Sequence, residues 1–114
     1  MIQHSLAAML EFYHQGRITL EHIVEKMCHT PADIFQIEKR GYIKEGYWAD
    51  LVLLDLNHKW EVKPENILYK CKWSPFENLI FHSAISHTFV NGNLVYQEGS
   101  IIESSFGKRL LFKR

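Results

Sequence analysis

The run from Gly41 to Asp55 narrows what this chain can fold into more than any other stretch. Gly41 and Gly46 suit backbone conformations that residues with a Cβ resist. Leu51-Val52-Leu53-Leu54 then follows without a polar break, the pattern of a strand covered on both faces. Asp50 stands between turn and strand, placed to accept backbone N–H groups from the turn at Gly46-Tyr47. No lysine-plus-hydroxyl tail follows the glycines, so they are turn residues and not a phosphate loop. The chain must turn here and then extend.

Upstream of this run the periodicity is helical. Ile2, Leu6, Met9, Leu10 and Tyr13 share one face, and Gly16 is placed to end that helix as a left-handed cap. Thr19 is the expected N-cap of a second helix, with Glu21 in its first turn and Leu20, Ile23, Val24 and Met27 as its apolar stripe. Thr30-Pro31-Ala32-Asp33 predicts a fresh start, with Thr30 as cap and Pro31 at the first helical position. Ile34, Phe35 and Ile37 are expected to be buried.

Downstream the chemistry is that of strands. Lys59-Trp60-Glu61-Val62-Lys63 alternates, and Pro64 stops it. Ser74-Pro75-Phe76 reads as a loop. Asn91-Gly92 between Phe89-Val90 and Leu94-Val95 predicts a two-residue hairpin, since both central residues of a type I′ turn need positive φ. Glu98-Gly99-Ser100 predicts another turn, after which Ile101-Ile102 resumes pairing. Helices followed by strands imply an α+β fold, with the change near residues 38–41.

Bulk chemistry then excludes several function classes. The chain has 114 residues, 46% of them hydrophobic and 23% charged, which is one ordinary domain able to bury a core. Thirteen basic residues balance thirteen acidic ones, so neither nucleic acid nor an anionic membrane is an expected partner. Lys108, Arg109, Lys113 and Arg114 surround Leu110-Leu111-Phe112, which predicts a terminal strand with charged flanks. Two cysteines without CxxC spacing imply no disulfide framework and fit a reducing, cytoplasmic location. No signal-peptide pattern opens the chain, and no apolar run reaches the roughly 18 residues a membrane-spanning helix needs.

With these segments in view, the chain resembles a known family. Thr30-Pro31-Ala32-Asp33-Ile34-Phe35 and Arg40 to Val52 resemble the stretch where cyclic amidohydrolases leave their barrel and re-enter a small β-sandwich. Lys59 to Val62, Lys72 to Glu77 and His87 to Tyr96 narrow the likeness to the C-terminal part of dihydroorotases. Ile2-Gln3-His4-Ser5-Leu6 is similar to the segment after the last catalytic strand in one dihydroorotase branch. The resemblance implies that residues 1–40 are a helical segment from the end of a (β/α)₈ barrel. It implies that residues 41–114 are a β-rich portion, antiparallel or mixed, of an accessory sandwich. It also implies reversible hydrolysis of dihydroorotate to carbamoyl aspartate in pyrimidine biosynthesis, with zinc in the full-length enzyme. A barrel of that kind takes about 250 residues, and this sequence holds no His-x-His pair. By this resemblance the segment supplies no catalytic and no metal-binding residue, binds no cofactor and is inert by itself. Gln3 and His4 are expected only to neighbour the substrate loop. Expected partners are a second copy, or the N-terminal part of the same enzyme, whose strands complete the family's sandwich. Two other readings stay open: a hydantoinase or allantoinase segment, and a free-standing dimerising module.

Other chemistry-bearing clusters read as structure. His22, Glu25 and His29 recur at helical spacing, but Lys26 on the same surface repels a cation. Cys28-His29 are sequence neighbours, and neighbours in a helix do not face each other. His82, Ser83, Ser86 and His87 lack a nucleophile elbow, and strand alternation puts His87 on a face with Ile85 and Phe89. Asp50 and Asp55 fall on opposite faces of one strand. Trp48, Trp60, Trp73, Phe76 and Tyr96 suit a β core or an interface between domains.

Overall fold

The computed structural model describes residues 2–102 and 107–113; Arg114 of the basic tail lies outside them. A short 3₁₀ turn, Ile2–His4, leads into α1, Ser5–His14. Gly16 closes α1 at φ +72°, with its N–H on Tyr13 O at 3.0 Å and that of Arg17 on Phe12 O at 2.9 Å. That pair of bonds is a Schellman cap, which only a residue tolerant of positive φ completes without strain. Thr19 caps α2, Leu20–Val24, by accepting the His22 N–H at 3.1 Å.

The expected restart at Thr30 does not occur. The chain stays helical from α2 through a π turn, Glu25–His29, into α3, Thr30–Ile34. Thr30 N–H donates to Glu25 O, and no side chain caps α3. Pro31 gives the physical reason: it lacks an N–H and its ring would crowd the carbonyl one turn back, and a π turn widens the helix there. Asp33, freed from capping, accepts the Tyr42 hydroxyl at 2.7 Å.

Six strands follow among the described residues: β1 Leu51–Asp55, β2 Trp60–Glu61, β3 Ile80–Phe81, β4 Ala84–Val90, β5 Asn93–Gln97 and β6 Ser100–Ile101. They form an antiparallel four-stranded sheet in the order β1-β4-β5-β6 and a separate β2-β3 pair. Helices precede antiparallel sheets, so the fold class is α+β. The Asn91-Gly92 hairpin is present, with φ of +52° and +81°. Glu98-Gly99 turns in the same way at +44° and +89°, and Ile101 pairs with Tyr96. The alternating run reduces to the two residues of β2, with Val62 fully buried behind it.

The expected strand forms as β1, but the cover expected on both its faces is missing. Among the described residues β1 is an edge strand with β4 as its one partner, and Val52, Leu53 and Leu54 are 45%, 48% and 37% exposed. An apolar run records that a strand wants covering; it does not supply the cover. Ile34 and Phe35 are likewise exposed, because the short α3 buries Ala32 instead. Ile2 is exposed too, since the 3₁₀ turn shifts the buried face to His4, Ala7 and Leu10. The C-terminal apolar run forms one isolated bridge, Ile37 with Phe112, and not a strand.

Ala7, Val62, Ile67 and Phe81 make the core, with Ala8, Trp60, Tyr69 and Phe76 packed against it. The helical start of the chain and the β2-β3 pair therefore share one core. No helix among the described residues is long and apolar enough to cross a membrane.

Candidate functional site

Gln3 and His4 sit at the junction between the N-terminal turn and the chain that follows β2. The Gln3 amide donates through Nε2 to Asn66 O and accepts the Leu68 N–H at Oε1, both at 2.8 Å. His4 has no solvent exposure. Its ring is enclosed by Trp60, Tyr69, Phe76 and Phe81, with centroids 6.1 to 6.3 Å away. Nδ1 meets Ser74 Oγ at 3.2 Å, and that hydroxyl also accepts the Phe76 N–H at 3.1 Å. His4 Nε2 and the Tyr69 hydroxyl are buried polar atoms without a hydrogen-bond partner among the described residues. Burial pushes the His4 pKa below the ordinary 6.5, because an imidazolium is poorly solvated there.

A second cluster ties α1 to β3 and β4. Glu11 accepts the His82 backbone N–H and lies 3.0 Å from His82 Nδ1. His14 Nε2 meets Ser83 Oγ at 2.6 Å, and Trp60 Nε1 donates to Ser83 O at 2.8 Å. A Ser–His contact of this length invites a nucleophile reading, but Ser83 is 1% exposed, so no substrate reaches it. The sequence did not reveal this cluster, because α1 and β3 meet only in the fold.

Beside these residues lies an open cleft of about 1590 Å³, lined among others by Gln3, Ala7, Trp60, Ile85, Tyr96 and Ile101. Its acidic and histidine side chains are Asp55, His58, Glu65 and Glu98; Asp55 and His58 approach to 4.0 Å. No group of three or more His, Cys, Asp or Glu among the described residues could hold a metal ion.

The other weighed clusters disperse. His29 stacks flat on Tyr42 at 4.1 Å. Cys28 has its thiol pKa raised by desolvation, the opposite of what a reactive thiolate needs. Asp50 does not bond the Gly46-Tyr47 turn; it accepts the Arg40 guanidinium and the Asn91 N–H instead. His87 does not share a face with Ile85. The β1-β4 register slips between Leu53 and Leu54, so His87 pairs with Leu53 and Ile85 with Leu54. Adjacent residues of β1 face opposite ways, and the bulge sends Ile85 to the other side.

Comparison with known proteins now places the chain. The family model described as the amidohydrolase family matches residues 1–95. This chain belongs to the amidohydrolase family. Among curated relatives of this amidohydrolase chain, a dihydroorotase of Wolbachia sp. subsp. Drosophila simulans (strain wRi) is 40% identical over 95 residues, 83% of this chain and 21% of the relative. An allantoinase of Desulfitobacterium hafniense (strain Y51) is 35% identical over 98 residues, 86% of this chain and 22% of the relative. Among solved structures, the L-hydantoinase (dihydropyrimidinase) from Arthrobacter aurescens superposes with a TM-score of 0.79 at 34% identity, covering 87% of this chain and 22% of that one. The chain thus spans about a fifth of the length of the relatives it matches.

Proposed function

We propose that this chain is the C-terminal part of a dihydroorotase-like cyclic amidohydrolase of the cytoplasm, hydrolysing dihydroorotate reversibly to carbamoyl aspartate, and inert by itself. The observation that carries the reading is the 40% identity to a dihydroorotase along 83% of the chain. In this reading residues 1–40 end a (β/α)₈ barrel and residues 41–114 belong to its accessory sandwich. Gln3 and His4 then neighbour the substrate loop from behind, bonded into the scaffold by Asn66, Leu68 and Ser74. The free Cys28 and Cys71 support a reducing compartment.

Zinc, which the family resemblance implies for a full-length enzyme, has no fit here, since no described cluster offers three ligands. In this reading the chain contributes scaffold and no chemical step. Metal and catalytic carboxylate would both come from outside it. The exposed β1 edge supports pairing with a further strand, either from the N-terminal part of the same enzyme or from a second copy.

The likeness to an allantoinase and to an L-hydantoinase favours a second reading, a segment of one of those ring-opening enzymes. Assaying the whole natural protein with dihydroorotate, allantoin and hydantoin separates them. Preference for dihydroorotate is expected; preference for either other ring would overturn the assignment within the family.

A further inference from the structure

Gln3 and His4 grip one stretch of chain from a single turn. Gln3 holds the backbone on both sides of Ile67, through Asn66 O and Leu68 N–H. His4 holds Ser74, and Ser74 holds the Phe76 N–H. The Ser74 oxygen accepts from Phe76, and its own proton can be given to His4 Nδ1, a bond open to a neutral ring. An imidazole that accepts at Nδ1 is neutral and carries its proton at Nε2.

Nothing around the ring favours a charge. From β2 the neighbour is Trp60, from β3 Phe81, and from the intervening segment Tyr69, Ser74 and Phe76. Tyr69 is the one titratable group among them. From its own turn Gln3 and Ser5 are uncharged. No carboxylate pairs with His4 among the described residues. Cation–π attraction to the rings is smaller than the penalty of desolvating an unpaired imidazolium.

We propose that Gln3 and His4 form an acid-releasable stitch holding the Asn66–Phe76 segment against the start of α1. Neutral His4 closes the stitch; protonation expels the ring and loosens the segment, which carries the exposed Leu68 and Trp73 and the free Cys71. The direction in pH comes from linkage. The folded-state pKa is pushed below the ordinary 6.5, so below that pH the unfolded chain binds the extra proton. Stability is full above 6.5, declines as pH falls through it, and levels off once the folded chain is also protonated. The stitch stands independently of the dihydroorotase reading.

Amide hydrogen exchange by NMR, corrected for intrinsic rates, tests this on the chain and on His4→Asn, which keeps a polar side chain but cannot titrate. Leu68 and Phe76 amides should lose protection about tenfold or more between about pH 7.5 and about pH 5 in the parent chain, and less than about twofold in the variant. An equal acid loss in both would overturn the proposal. Should His4→Asn fail to fold, the His4 ring resonances of the parent chain decide: titration well below 6.5 supports the stitch, and titration at 6.5 overturns it.

Discussion

The Asp50 carboxylate accepts the backbone N–H of Asn91 at 2.9 Å, across 41 residues of sequence. The same carboxylate takes the Arg40 guanidinium, which also donates to Asn91 Oδ1 at 2.9 Å. Gly92 N–H closes the arrangement on Ala49 O, again at 2.9 Å. The entry to β1 is thereby fixed to the tip of the β4-β5 hairpin. Arg40 is held on its other side over the Trp48 ring, 5.5 Å from its centroid.

Exposed ion pairs contribute little, but the Arg40 side chain is 11% exposed and the carboxylate holds two donors at once. Asp50→Asn should therefore destabilise the chain by about 1–3 kcal/mol. A thermal melt followed by circular dichroism should show Tm falling by about 5–15 °C. An unchanged Tm would mean that the network behaves as an ordinary surface pair.

The two glycines of this region should respond differently. Gly41 has φ +84°, and a Cβ there would meet Ala32 Cβ at 2.4 Å and Cys28 O at 2.8 Å. Gly46 has φ +82° with nothing within 4 Å. Gly46→Ala should carry the conformational penalty alone, about 1–2 kcal/mol. Gly41→Ala adds a clash with helix backbone and should be the worse of the two by at least about 1 kcal/mol. Urea unfolding of both variants checks the order.

Ile67 is fully buried against Val62 and Phe81. Ile67→Ala should cost about 2–5 kcal/mol, as core truncations do. Leu53→Ala, at a site 48% exposed, should stay within about 0.5 kcal/mol. Equal losses in denaturant unfolding would mean that β1 is covered in solution.

β1 also sets the expected association. Its apolar outer edge has no proline and no internal charge to discourage pairing. Light scattering on the chain alone should show a dimer or larger species at high concentration, and Leu53→Lys should shift it toward monomer. A well-behaved monomer at high concentration would contradict this part of the account.

What could be read from the sequence was mostly local. Gly16, Thr19, Asn91-Gly92 and Glu98-Gly99 act through their own backbone angles or one nearby bond, and each stands where its chemistry put it. Thr30 failed because Pro31 can widen a continuing helix as well as begin one. The strand at β1 was legible, but its cover and that of Phe35 were not, because burial depends on what packs opposite, and periodicity carries no record of a partner. Asp50 found its donors in Arg40 and Asn91, not in its own turn. His4 was legible as a residue of interest through the family resemblance. Its enclosure by Trp60, Tyr69, Phe76 and Phe81 was not, since those rings converge from three later segments.

The mass of the natural polypeptide, captured with an antibody to this segment and weighed by mass spectrometry, tests the central claim most directly. The account predicts a protein several times the 13.5 kDa of this chain, in keeping with relatives of which the matched region is 21% to 22%. A natural product of 13.5 kDa would contradict it and point to a free-standing module instead.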